Sequence, residues 1–130
     1  MSFRIFLVLL LLGSKPAYAQ WVTVGQTSEA TIYVDPETIH STEGTVEVSV
    51  IFDYKRRQRL DNELNYFSTK RLYEFECGSE WFRLLAVTFF MGDMGKGHVI
   101  EHSVKEDRWR PIPPTGVGRS LLKLACKPKQ

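Results

Sequence analysis

The sequence is poor in the features that announce chemistry. It holds two cysteines, Cys77 and Cys126, and no Cys-x-x-Cys pair, which excludes a cysteine-based zinc module and a thioredoxin-like redox site. No Gly-x-Ser-x-Gly elbow is present. The glycine-rich stretch Gly92-Asp93-Met94-Gly95-Lys96-Gly97 lacks the spacing of a phosphate-binding loop and follows an apolar strand rather than opening a helix. Charge of one sign is lacking too. Arg4 and Lys15 account for two of the 17 Lys and Arg, and without them the basic residues equal the 15 Asp and Glu. A chain so balanced has no global electrostatic case for nucleic acid or an anionic membrane, so recognition by charge would need a local patch.

The first nineteen residues read as an export signal. Arg4 precedes the apolar run Ile5 to Leu12, Gly13-Ser14-Lys15-Pro16 breaks it, and Ala17-Tyr18-Ala19 places small residues where a signal peptidase cuts. A membrane anchor would need about 20 apolar residues, more than this run supplies, and no other long apolar run exists. Residues 20–130 then form one domain with no transmembrane segment. No cysteine follows the expected cut, so a lipid anchor is not called for. Export places the protein in the periplasm, at the cell surface or outside the cell, where two cysteines read as one disulfide. The two cysteines are separated by 49 in sequence, and closing a loop of that length contributes about 4 kcal/mol in the chain-entropy model.

Along the expected domain the dominant period is two. Trp21 to Val24 and Ala30 to Val34 read as short strands joined by the turn Gln26 to Glu29. Asp35-Pro36 starts a helical turn, and capping explains Asp35 better than catalysis does. The clearest strand is Thr45 to Tyr54, with Val46, Val48, Val50, Phe52 and Tyr54 on one face. A basic run, Lys55-Arg56-Arg57-Gln58-Arg59, interrupts it, and Leu60 to Ser68 reads as a loop. Arg71, Tyr73, Phe75 and Cys77 share the face of a further strand. Trp81 to Met91 is apolar on both faces and suits a central strand, covered on one face by a helix and on the other by a loop, a partner or a second protomer. His98 to Ser103 reads as another strand. Trp109 to Pro114 is an extended connection pinned by Trp109 and Ile112, because its three prolines remove donors. Thr115 is placed to cap an amphipathic C-terminal helix bearing Val117, Leu121, Leu124 and Ala125 on one stripe. The expected fold is α+β: a small antiparallel sheet of about six strands, with this helix on one face, over Tyr73 and Phe75, held by Cys77–Cys126.

Two stretches carry candidate function. His98-Val99-Ile100-Glu101-His102 matches the His-x-x-Glu-His pattern of inverted zinc peptidases and offers a metal-dependent envelope hydrolase as the alternative reading. That chemistry needs a helix to bring both histidines to one ion; on a strand they stand about 13 Å apart. The β-branched setting favours the strand, and with it two sheet histidines beside a solvated glutamate. No metal site and no catalytic residue is therefore assigned. The other stretch is Lys55, Arg56, Arg57 and Arg59, which reads either as a solvated turn or as a binding patch for a polyanion.

Several segments carry a family resemblance. Tyr33-Val34-Asp35-Pro36, Asp53-Tyr54-Lys55, Leu72-Tyr73-Glu74-Phe75-Glu76-Cys77 and Trp109-Arg110-Pro111-Ile112-Pro113-Pro114 leading to Cys126 resemble the bacterial surface-adhesin protein E family. The resemblance implies a non-catalytic binding module of the cell envelope, with a host extracellular-matrix protein or another envelope component as partner. It also implies homodimerisation, and haem as a ligand; the residues themselves call for no cofactor. It carries over no individual binding residue.

Overall fold

The alternation that begins at Val46 runs further than its sequence pattern suggests. In the computed structural model, which describes residues 20–61, 64–100 and 106–127, it continues through the basic run as one strand, Thr45–Leu60 (β4), and returns as Leu64–Glu76 (β5). Around this hairpin the chain adds β1 (Val22–Gln26), β2 (Ala30–Val34), β3 (His40–Thr42), β6 (Trp81–Phe90), β7 (Val99–Ile100), β8 (Glu106–Pro111) and one helix, α1 (Val117–Ala125). The strands form one antiparallel sheet ordered β1-β2-β4-β5-β6-β7, with β3 beside β4 and β8 beside β6. The expected α+β class holds, with eight strands among the described residues where about six were expected.

Three differences have local causes. Residues 64–68 are strand rather than loop, because the pairing of Gln58 with Tyr66 and Leu60 with Leu64 supplies order that their mixed polarity hides. Trp109 to Pro111 belongs to β8, which pairs on one side with β6. An edge strand tolerates a proline where a central one does not, and Pro111 is its last residue. Thr115 does not cap α1. Gly116 occupies that position at φ 96° with no side-chain cap, a backbone region glycine enters at little cost.

The register fixes what each face carries. Val50 lies opposite Arg71 and Arg71 opposite Val87; Val48, Tyr73 and Leu84 form the next row. Ile32 and Val34 extend the same face through β2. At one end of this face α1 lays down Leu121, Leu122 and Ala125, which are buried with Val34, Val46, Val48, Val50 and Phe75. Each fully buried aliphatic or aromatic side chain contributes roughly 1.5–3 kcal/mol, so this contact is the main stabilising one. Cys77 and Cys126 are bonded, with Cα atoms 5.7 Å apart and a separation of 49 in sequence. Arg119 fastens the approach to α1: its guanidinium donates to the carbonyls of Pro113 (3.1 Å) and Ile112 (3.2 Å) and pairs with Glu80 at 3.0 Å.

A loop covers the other face of the sheet, chiefly over β4 and β5. The Gly92–Gly97 segment folds back so that the N–H groups of Met94 and Gly95 donate to Asp53 Oδ1 (3.0 Å) and Ser68 Oγ (2.9 Å). Ser68 in turn donates to the Gly92 carbonyl at 2.6 Å. Gly95 has φ 71°, and a β-carbon there would stand 3.1 Å from Ile51 Cδ1. Positive φ and lack of room together explain this glycine. Asp35 accepts from the Glu37 N–H at 3.0 Å, so it is the cap its sequence context implied.

Candidate functional site

Two surfaces gather arginine, and the sheet builds them differently. The first is the run Lys55, Arg56, Arg57 and Arg59. Asp53 pairs with Ser68 but the next pair is Gln58 with Tyr66, so β4 spends more residues than β5 over this span. The surplus bulges out of the ladder carrying Lys55, Arg56 and Arg57, while Arg59 is paired with Asn65 just beyond it; all four basic side chains are exposed. The bulge is held from both sides. The Lys55 N–H donates to the Glu29 carbonyl at 2.9 Å, and Gln58 Nε2 donates to the Arg56 carbonyl at 3.0 Å. Ser28, Glu29, Lys55, Arg56 and Gln58 line a hollow of about 440 Å³ beside it. This is a side-presented ridge rather than a turn, since bulges re-aim side chains.

The second surface surrounds Arg71, at the end of the sheet face that α1 leaves open. Its guanidinium stacks on Phe52, 4.0 Å from the ring centre, and donates to the hydroxyls of Tyr54 (3.2 Å) and Tyr73 (3.3 Å). Its Nε is buried without a partner among the described residues. Burial pushes the Arg71 pKa down, but the tyrosines on either side more than offset this and hold it above its usual value. Tyr66 packs edge-on against Tyr54 and Phe89, at 5.6 and 4.9 Å between ring centres. Burial, reinforced by Tyr54 and opposed by Arg71, raises the Tyr66 pKa. Arg108 and Arg110 reach this cleft from β8, and Tyr73, Phe82 and Leu84 form its apolar part.

Sequence reasoning placed Arg71 on the strand face with Tyr73 and Phe75 but did not single it out. A cation in an otherwise apolar file was the available signal. Its neighbours Arg108 and Arg110 were unreadable as such, because only the β6–β8 pairing brings them there.

The hydrolase alternative fares poorly. Val99 and Ile100 pair with Phe90 and Phe89 as a strand, so His98 enters β7 rather than a helix. Glu101 and His102 lie outside the described residues. No group of three or more His, Cys, Asp or Glu that could hold a metal occurs among the described residues. A haem would need an axial donor beside a walled apolar slot. His98 and Met91 do share a hollow of about 410 Å³ with Leu64, Val99 and Ile100. Leu64, Met91 and Val99 are 46, 45 and 43 % exposed, however, which makes it an open shelf, and no haem is assigned to it. No helix among the described residues is long and apolar enough to cross a membrane.

Comparison with known proteins gives a consistent result. Among curated proteins there is no sequence match. Among solved structures, Haemophilus influenzae protein E superposes with a TM-score of 0.68 at 10 % identity, covering 84 % of this chain and 85 % of that one. A second crystal form of that protein gives 0.65 at 12 % identity over 81 % and 95 % of the two chains. Protein E from a non-typeable strain gives 0.63 at 11 %, over 82 % and 75 %. At these identities the likeness concerns the fold. The model of the family described as surface-adhesin protein E matches residues 21–127, which takes in every strand, the helix and both cysteines. The chain belongs to the surface-adhesin protein E family, whose members are adhesin-like binding modules.

Proposed function

We propose that the protein is an exported, non-catalytic binding module of the bacterial cell envelope that meets its partner through the ridge of Lys55, Arg56, Arg57 and Arg59. Residues 1–19 direct export in this reading, and the single domain of residues 20–130 is the working part. The partner is a host extracellular-matrix protein or another envelope component with an acidic or sulfated surface. The observation that supports this most is the bulge, which lifts basic side chains out of the ladder in a family of adhesins. Charges at the rim of a contact mainly raise the association rate and partner choice, and salt screens them within about 8 Å at physiological ionic strength.

Retention on heparin and on immobilised matrix proteins tests the ridge. Wild-type protein is expected to be retained at low salt and released as salt rises. The pair Arg57→Glu and Arg59→Glu is expected to lose most of that retention with an unchanged melting temperature. Equal retention of wild type and variant would remove the ridge from the binding surface. Amino-terminal sequencing of the exported protein should begin at Gln20 if the signal is cut after Ala19.

A further inference from the structure

The hollow beside the ridge has two walls, and the backbone holds both of them in place. One wall is the turn between β1 and β2, which Thr27 ties down. Its N–H donates to the Ala30 carbonyl at 2.8 Å, and its Oγ1 accepts from the N–H groups of Glu29 (3.2 Å) and Ala30 (3.0 Å). Those bonds fix where Ser28 and Glu29 stand. The other wall is the bulge of β4, fastened to the first by the bond from the Lys55 N–H to the Glu29 carbonyl. Between them Ser28, Glu29, Lys55, Arg56 and Gln58 enclose about 440 Å³, within the roughly 300–1,000 Å³ of ligand sites. A lining of cations alone would suit any polyanion. A carboxylate among them does not, because Glu29 repels an acid group and accepts from a hydroxyl. Gln58 has given one amide proton to the Arg56 carbonyl, and its amide oxygen is a second acceptor. A fitting ligand therefore brings hydroxyls to Glu29 and Gln58 and acids to Lys55 and Arg56.

We propose that the hollow and the ridge together bind a sulfated polysaccharide chain, with ring hydroxyls on Glu29 and Gln58 and sulfates on Lys55, Arg56, Arg57 and Arg59. The inference rests on the ridge being the binding surface and names what binds there. The mixed lining of the hollow asks for a sugar. The ridge asks for a chain, since Arg57 and Arg59 lie beyond the hollow and Lys55 to Arg59 extends up to about 13 Å at about 3.3 Å per residue. Sulfation follows from charge density. Four cations in the five positions 55–59 match more acid than one carboxylate per ring supplies. The planar fork of arginine meets two oxygens of one acid group at once. Each such contact is weak where side chains are exposed, so several must act together. Walls already held in place lower the cost of ordering the site when the chain binds.

Three probes test the assignment by calorimetric titration of the disulfide-bonded exported protein at constant ionic strength. They are a heparin oligosaccharide, a polygalacturonate oligosaccharide of the same length, and linear polyphosphate of the same charge as the heparin. Heparin is expected to bind about tenfold more tightly than either of the others. Glu29→Gln is expected to shift the ratio of heparin to polyphosphate affinity about tenfold toward polyphosphate, because a charged acceptor is lost and a repulsion is relieved. Its melting temperature should match wild type, since the side chain is exposed and the carbonyl that holds Lys55 is untouched. The ridge variant Arg57→Glu with Arg59→Glu is expected to lose binding of all three probes. If that variant loses them while Glu29→Gln leaves the ratio unchanged, the ridge stands and the saccharide assignment falls. Polyphosphate or polygalacturonate binding as tightly as heparin would overturn the assignment as well. Heparin binding that survives Arg57→Glu with Arg59→Glu would remove the ridge itself, and the assignment with it.

Discussion

One sheet face carries two regions that differ in what their side chains achieve. Under α1, Phe75, Val48 and Val50 are 1, 1 and 0 % exposed, and Leu121 and Leu122 close over them. One step along the same strands, Arg71 takes the place opposite Val50 and is surrounded by phenols and open cleft. The lidded end is apolar, shape-filled and covalently shut. The open end keeps a cation among aromatic rings with no acid among the described residues lining it. Burial of apolar surface accounts for the first region, whereas in the second stacking on Phe52 and hydrogen bonds to Tyr54 and Tyr73 hold a guanidinium in place.

The largest expected effect falls on the lidded end. Cys77→Ser with Cys126→Ser is expected to cost about 4 kcal/mol, which lowers the melting temperature by on the order of 15 °C. Calorimetry on the oxidised protein and the double variant measures it, and equal melting temperatures would show that α1 holds without its bond. At the open end Arg71→Met is expected to leave stability within about 1 kcal/mol of wild type, or to raise it. Urea midpoints at unchanged slope report this. A loss comparable to that of the disulfide would erase the distinction between the two regions.

The smallest expected effect concerns Tyr66. Its pKa is raised, first by burial, so the folded state holds the phenol proton more tightly than the unfolded chain does. The stabilisation this provides is complete below the ordinary tyrosine pKa of 10.0 and is lost as pH rises through the higher folded value. Phenolate absorbance should show one tyrosine titrating late, and Tyr66→Phe should remove that late step. In Arg71→Met the step should move later still, because Arg71 opposes the rise. An unmoved step would mean that the guanidinium does not act on Tyr66.

Much of the lidded end could be read from the residues. Val46, Val48 and Val50 alternate without interruption, Leu121 and Ala125 recur at helical spacing, and two cysteines allow a single pairing. These signals are local or unique, which is why they survive in one dimension. The open end depends on arrangements that leave no such trace. The bulge at Lys55 to Arg57 breaks the period that would have extended β4, and Asn65 to Ser68 take their order from that partner strand. Pro111 conceals an edge strand, since a proline argues against pairing unless the side it faces is known. The cleft joins Arg71 to Arg108 and Arg110 through β6, a relation between distant segments that neither periodicity nor spacing encodes.

The bond from Cys77 to Cys126 also decides how the domain answers to tension. A pull applied to the chain beyond Cys126 passes through two sulfur atoms into the end of β5 before it reaches α1. There it meets a strand flanked by β4 on one side and β6 on the other, with a long antiparallel ladder to each. The helix, which rests on the sheet by side-chain contact, is bypassed. In an adhesin-like binding module, the helix that closes the core is thereby kept out of the direct path of the force.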